Sequence, residues 1–142
     1  MNRFNYASVA LIGLIALVAA LRIGHILPYN FAPVLALCLL GSAYFSRKWM
    51  ALIFPAAILV ISDLVIGGGR PVEMISVYIS YLLVILLGFK LHNNVKPLRV
   101  LTITIYSSLL FFIITNFACW IGSPYYTQDL NGLIINYSGA LP

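Results

Sequence analysis

Long apolar runs, separated by short stretches that hold nearly all of the charge, leave this chain few ways to fold. Five such runs follow one another: Tyr6–Leu21, Phe31–Phe45, Trp49–Ile66, Met74–Leu91 and Leu98–Ile121. A bilayer core of roughly 30 Å takes about 20 apolar residues in a helix, with a working range of about 17–25. The second run is short for a crossing, and Pro33 near its start points to an irregular first turn. Pro55 lies inside the third. Charged residues make up only 8% of the chain, against about 25% in a soluble domain, so little is left to cover a surface facing water. The expected architecture is therefore an all-α, polytopic membrane bundle forming one domain over residues 1–142. It has five transmembrane helices and a short C-terminal run, Leu130–Pro142. That last run is either a re-entrant or interfacial piece or the stub of a sixth helix.

The first run has a second reading. Arg3, an apolar stretch and the small residues Val18 and Ala20 also resemble a secretory signal peptide. No polar mature domain follows it, however, and everything downstream is itself expected in the membrane.

Loop charges set the expected orientation. With the N-terminus in the cytoplasm, Arg3, Arg47, Lys48, Lys90, Lys96 and Arg99 fall inside and only Arg22 and Arg70 fall outside. This arrangement puts the loops Arg22–Asn30, Gly67–Glu73 and Gly122–Asp129 on the outer face of an inner (plasma) membrane.

One charge departs from the pattern. Asp63 sits inside the third run, where an ionised carboxylate at the bilayer centre costs about 2.5–3.5 kcal/mol on insertion scales. Such a residue must pair with something or face a water-filled space. Asp63 lies about four residues from the outer end of its helix, roughly 6 Å at 1.5 Å per residue. On the fourth run Ser76, Tyr78 and Ser80 occupy a similar depth, and on the fifth Thr115, Asn116 and Trp120 do. Ser108, Phe112, Thr115/Asn116 and Cys119/Trp120 also share one helical face. The candidate ligand-binding residues are thus Asp63, Tyr78, Ser80, Thr115, Asn116 and Trp120, beneath the outer loop Ser123–Asp129.

Each has a plainer reading. Ser, Thr and Asn in membrane helices often only bond neighbouring helices, at about 0.6 kcal/mol each. Trp120, Tyr125 and Tyr126 suit an interfacial aromatic belt. Asp63 would equally serve structure by pairing with Arg70 or capping a helix end at Gly67.

Other signals exclude more than they suggest. Gly67-Gly-Gly69 lacks the Lys-Ser/Thr that follows a phosphate-binding loop and reads as a connector. Cys38 and Cys119 lie in separate apolar runs and read as small buried hydrophobes. His25 and His92 read as solvated loop residues. The spans hold no Ser/His/Asp set, no His-x-x-x-His and no carboxylate pair, so no enzyme, metal site or cofactor is expected. Ala16-x-x-x-Ala20 on the first helix allows close approach of a partner helix.

Certain residues carry a resemblance. Phe31-Ala-Pro33-x-x-Ala36, Gly41, Phe45, Pro55, Ser62-Asp63-x-x-x-Gly67, Val77-Tyr78-x-Ser80 and Gly88 resemble a family of small, uncharacterised bacterial integral membrane proteins. The stretch Ser107–Trp120, with its Thr115-Asn116-Phe117, then Tyr126 and Gly132-Leu133, continues the likeness over most of residues 31–142. That family is in turn similar to the substrate-capture (S) subunits of energy-coupling-factor transporters. The resemblance implies a six-helix bundle binding a vitamin-like molecule or metal near its outer face. It also implies docking through Ala16 and Ala20 onto a transmembrane coupling subunit that works with ATPases. The pattern continues past Pro142 into a further helix, so a bundle of five helices would leave an open seam.

The expected function is a small-molecule binding or uptake subunit in the lipid bilayer, with no nucleic-acid partner. The rival is a non-transporting scaffold or assembly protein whose polar residues hold its helices together.

Overall fold

The computed structural model describes residues 3–24, 33–45, 47–67, 69–92 and 95–141. His25 and the first two residues of the expected second span lie outside them. The helices are α1 (Arg3–Ile23), α2 (Pro33–Tyr44), α3 (Lys48–Ile66), α4 (Pro71–Gly88), α5 (Pro97–Trp120) and α6 (Leu130–Gly139). A single 3₁₀ turn, Phe89–Leu91, extends α4, and no strand occurs among the described residues.

Prolines and glycines place the boundaries. Pro33, Pro71 and Pro97 open α2, α4 and α5, where the fixed φ suits the first turn and the missing N–H would have no partner anyway. Gly67 ends α3 with φ at 83°, returning its N–H to the Asp63 carbonyl, a left-handed stop that suits glycine. Pro55 is fully buried within α3, which continues through it.

Three helices are long and apolar enough to cross a membrane: α3, α4 with its 3₁₀ extension, and α5. The expected five crossings are therefore reduced to three on length, with Val9–Ile23 and Pro33–Tyr44 as shorter apolar segments. The reason is clearest for α2. Its 12 residues rise roughly 18 Å at 1.5 Å each, well short of a core of about 30 Å.

α2 is the centre of the bundle. Val34, Leu37, Cys38, Leu39, Gly41, Ser42 and Ala43 are all buried, and α1, α3, α4 and α5 pack around it. Small residues allow this. A Cβ placed on Gly88 would lie 2.6 Å from the Ser42 Cβ, so α2 and α4 touch almost backbone to backbone. The buried Ser42 and Ser80 hydroxyls turn back to the carbonyls of Cys38 and Ser76, at 2.6 and 2.7 Å. Their polarity is thus satisfied within their own helices, leaving the contact faces free to pack. The core joins Ile15 and Val18 of α1 to Leu37 and Cys38 of α2, Leu59 of α3 and Val84 of α4.

The outside of the bundle is apolar. Leu64 and Leu98 are 79% and 75% exposed, and only Ile103, Ser107 and Ala118 of α5 are buried. A surface of this kind suits lipid, not water.

Charge is segregated along the bundle axis. Asp63, Glu73 and Asp129 are the whole acidic content of the chain, and all three lie at one end, where α3 finishes, α4 starts and α5 leads into α6. Arg22 and Arg70 join them. The other six basic residues lie at the opposite end, at the start of α1, α3 and α5 and at the close of α4. The bundle thus has an acidic end and a basic end.

α6 completes the acidic end. Asp129 caps it by accepting from the Gly132 N–H at 2.8 Å, which satisfies a donor the first turn leaves free. The helix then folds back along α5. Asn136 donates to the Asn116 carbonyl at 2.9 Å, Tyr137 donates to the Ile113 carbonyl at 2.6 Å, and the Tyr137 ring meets Phe112 edge-on at 5.6 Å.

Candidate functional site

The six residues expected to share one pocket are divided between two clusters and the main chain. The first cluster centres on Asp63. Its Oδ1 accepts from Arg22 Nη2 at 2.7 Å, and its Oδ2 accepts from the Tyr78 hydroxyl at 2.8 Å. The Asp63 side chain is only 13% exposed and that of Arg22 32%. A carboxylate so placed must be neutralised, and here one donor meets each oxygen. Asp63 and Tyr78 come together as expected, but the cation is Arg22, where pairing with Arg70 was the structural alternative. Both Arg22 and Asp63 stand within about a turn of the same-side end of their helices. Asp63 does not cap Gly67 through its side chain; the Gly67 N–H goes to its main-chain carbonyl.

Arg70 is occupied elsewhere. Its guanidinium holds Glu73 at 2.7 Å and also donates to the carbonyls of Cys119 and Ile121, at 2.5 and 3.0 Å. It thereby ties the start of α4 to the end of α5, whose last carbonyls lack helical partners and attract cations.

Ser80 faces neither cluster: it is fully buried and bonded to Ser76. Trp120 is likewise no pocket wall. Its indole N–H donates to the Thr127 carbonyl at 2.9 Å, inside the loop that leads to α6. Gln128 fastens the same loop, donating to the carbonyls of Trp120 and Tyr126 and accepting from the Gly122 N–H. His92, expected in solvent, is half-buried, with Nδ1 enclosed and without a hydrogen-bond partner among the described residues.

Thr115 and Asn116 belong to the second cluster, a cavity of about 650 Å³ between α5 and α6 that Leu35 of α2 also reaches. Phe111, Phe112 and Leu141 supply apolar wall, while Ser108, Thr115, Asn116, Tyr126 and Asn136 bring polar groups. Thr115 and Asn116 donate to the carbonyls of Phe111 and Phe112, at 2.7 and 2.8 Å. Those bonds hold the two side chains along α5 and leave the Asn116 amide oxygen without a donor among the hydrogen bonds described. Cys119 lines the same space, whereas Cys38 is fully buried in the core. Among the described residues, none that lines this cavity carries a formal charge.

Sequence reasoning missed Asn136, which is only 3% exposed and docks α6 together with Tyr137. The polar residues of the run Leu130–Pro142 were its visible trace. Ala16 and Ala20 lie exposed on α1, while Leu11, Ile15 and Val18 of the same helix face the bundle.

The fold thus provides a closed ionic contact at Asp63 and an uncharged cavity at Asn116. Among curated proteins and among solved structures, nothing matches this chain. Over residues 2–142, nearly its whole length, it belongs to a family of unknown function, DUF6580.

Proposed function

We propose that this protein is an integral membrane subunit that binds a small molecule and serves its uptake, with the α5–α6 cavity as the binding site. The observation that carries this reading is the cavity itself. Its volume of about 650 Å³ falls within the roughly 300–1,000 Å³ of small-molecule sites, which are mostly apolar with a few placed polar groups. Because its lining is uncharged, the ligand is a compact, neutral, hydrogen-bonding molecule. Asp63 then supports the bundle beside the site and does not itself receive a cation.

The charge segregation supports an orientation with the basic end in the cytoplasm, following the excess of Lys and Arg on that side of membranes. On this reading the N-terminus is cytoplasmic, and the cavity lies toward the outer face. Alternating exposure of that site would move the ligand inward. The likeness to substrate-capture subunits of energy-coupling-factor transporters extends the proposal to partners. Ala16 and Ala20, exposed on α1, offer a close-packing surface to a coupling membrane subunit that works with ATPases.

A second reading, a membrane scaffold, is favoured by one observation: Arg22, Asp63 and Tyr78 satisfy one another and leave nothing for a ligand. Cys119 separates the two. In a Cys38→Ala background, a low-molecular-weight extract of the host cell should slow maleimide labelling of Cys119, and Asn116→Leu should abolish that protection. Equal labelling with and without extract supports the scaffold.

A further inference from the structure

We infer that the basic end carries a specific site for an anionic phospholipid of the surrounding bilayer. A groove of about 970 Å³ runs between α4 and α5, and its rim at that end holds Lys90, Lys96 and Arg99. All three acidic side chains lie at the other end, where Asp63 is paired with Arg22, Glu73 with Arg70, and Asp129 with its own helix cap. Among the described residues, no carboxylate neutralises the three cations. Thr102, just below them, already gives its hydroxyl proton to the Leu98 carbonyl at 2.8 Å.

Below this rim the groove turns apolar, walled by Ile103, Leu110, Ile113 and Ile114. From Ile103 to Ile113 the wall descends roughly 15 Å at about 1.5 Å per residue. That is half of a bilayer core of about 30 Å, the depth of one leaflet. A cluster of unpaired cations at headgroup level above an apolar wall one leaflet long matches a phospholipid in both charge and length. The phosphate sits among Lys90, Lys96 and Arg99, and an acyl chain follows α5. Basic clusters beside a membrane helix draw anionic headgroups in this way. The Tyr106 ring, also at the groove, covers the upper part of the chain.

The test uses the full-length protein, delipidated in detergent, with phosphatidylglycerol and phosphatidylcholine as probes and native mass spectrometry as the readout. Lys90→Gln/Lys96→Gln/Arg99→Gln should weaken phosphatidylglycerol binding about 10- to 100-fold. A control, Arg47→Gln/Lys48→Gln, removes charge from the same end at residues that do not line the groove and should change binding less than about 2-fold. Leu110→Trp, which fills the apolar wall while keeping the cations, should also lower phosphatidylglycerol binding, and wild-type protein should prefer it to phosphatidylcholine. Equal losses in the groove variant and the control, or no preference between the lipids, would overturn the site and leave only general attraction to negative surfaces. Undiminished binding by Leu110→Trp would overturn the acyl-chain placement. Thermal unfolding of each variant without lipid confirms that the proteins compared are folded.

Discussion

Arg22 at the end of α1 and Asp63 near the end of α3 form an ion pair at 2.7 Å, and Tyr78 of α4 closes the carboxylate's second oxygen at 2.8 Å. Three helices meet at this one side chain, so an acidic residue that looks costly in the sequence becomes a fastening point.

Removing either partner leaves the other charge uncompensated in a half-buried place. Arg22→Gln and Asp63→Asn should each destabilise the protein by about 1–3 kcal/mol. The double variant should cost less than the sum of the two, with a coupling above about 0.5 kcal/mol, measured by unfolding in detergent. If Asp63→Asn leaves stability unchanged and instead alters small-molecule retention, Asp63 acts on a ligand and its structural role is refuted.

The α2–α4 contact depends on the absence of a side chain at Gly88. Gly88→Val would press onto Ser42, which a Cβ already approaches to 2.6 Å, and overpacking of this kind costs about 1–3 kcal/mol. Adding Ser42→Gly should restore most of the loss. A Gly88→Val protein as stable as wild type would show that the two helices do not pack this closely.

Asp129 makes the start of α6 sensitive to acid. Hydrogen bonds from the Gly132 N–H and then from the Thr127 hydroxyl hold its carboxyl below the usual carboxylate value. A group whose value is lowered in the folded state stabilises it above the unfolded value and loses that contribution as pH falls through the folded one. The α5–α6 loop should therefore be intact at neutral pH and loosen as pH drops below the ordinary carboxylate range. In a Trp49→Phe background, Trp120 fluorescence should report this change, because its indole bonds Thr127 in the same loop. Asp129→Asn should flatten the acid response. An unchanged response in that variant would assign the transition to another group.

Orientation can be read by labelling. In a background lacking both native cysteines, Tyr125→Cys at the acidic end, where the residue is 88% exposed, should react with an impermeant maleimide added to intact cells. Lys96→Cys at the basic end should react only after the membrane is opened. The reverse pattern would invert the topology.

Much of this was legible in the sequence because burial in lipid follows composition. The apolar runs mark α1 to α5, and Pro71, Pro97 and Gly67 fall at helix boundaries. The pairing of Asp63 with Tyr78 follows from their common depth. Depth alone does not give azimuth, however. Ser80 and Thr115 lie at similar heights, yet Ser80 turns into the core and Thr115 toward α6. The choice of Arg22 over Arg70 depends on α1 packing beside α3, a long-range contact that no local pattern encodes. Asn136 was missed because a ten-residue helix is too short for a span and shows its purpose only once folded onto α5.

The central claim is that the uncharged cavity at Asn116 and Asn136 holds a small molecule. Mass spectrometry of the small molecules released from purified protein tests it most directly. Wild-type protein should release one neutral compound in near-stoichiometric amount. Asn116→Leu and Asn136→Leu should release little of it, while Arg22→Gln/Asp63→Asn still retains it. The absence of any retained compound from wild-type protein, or equal retention by the two asparagine variants, would contradict the account.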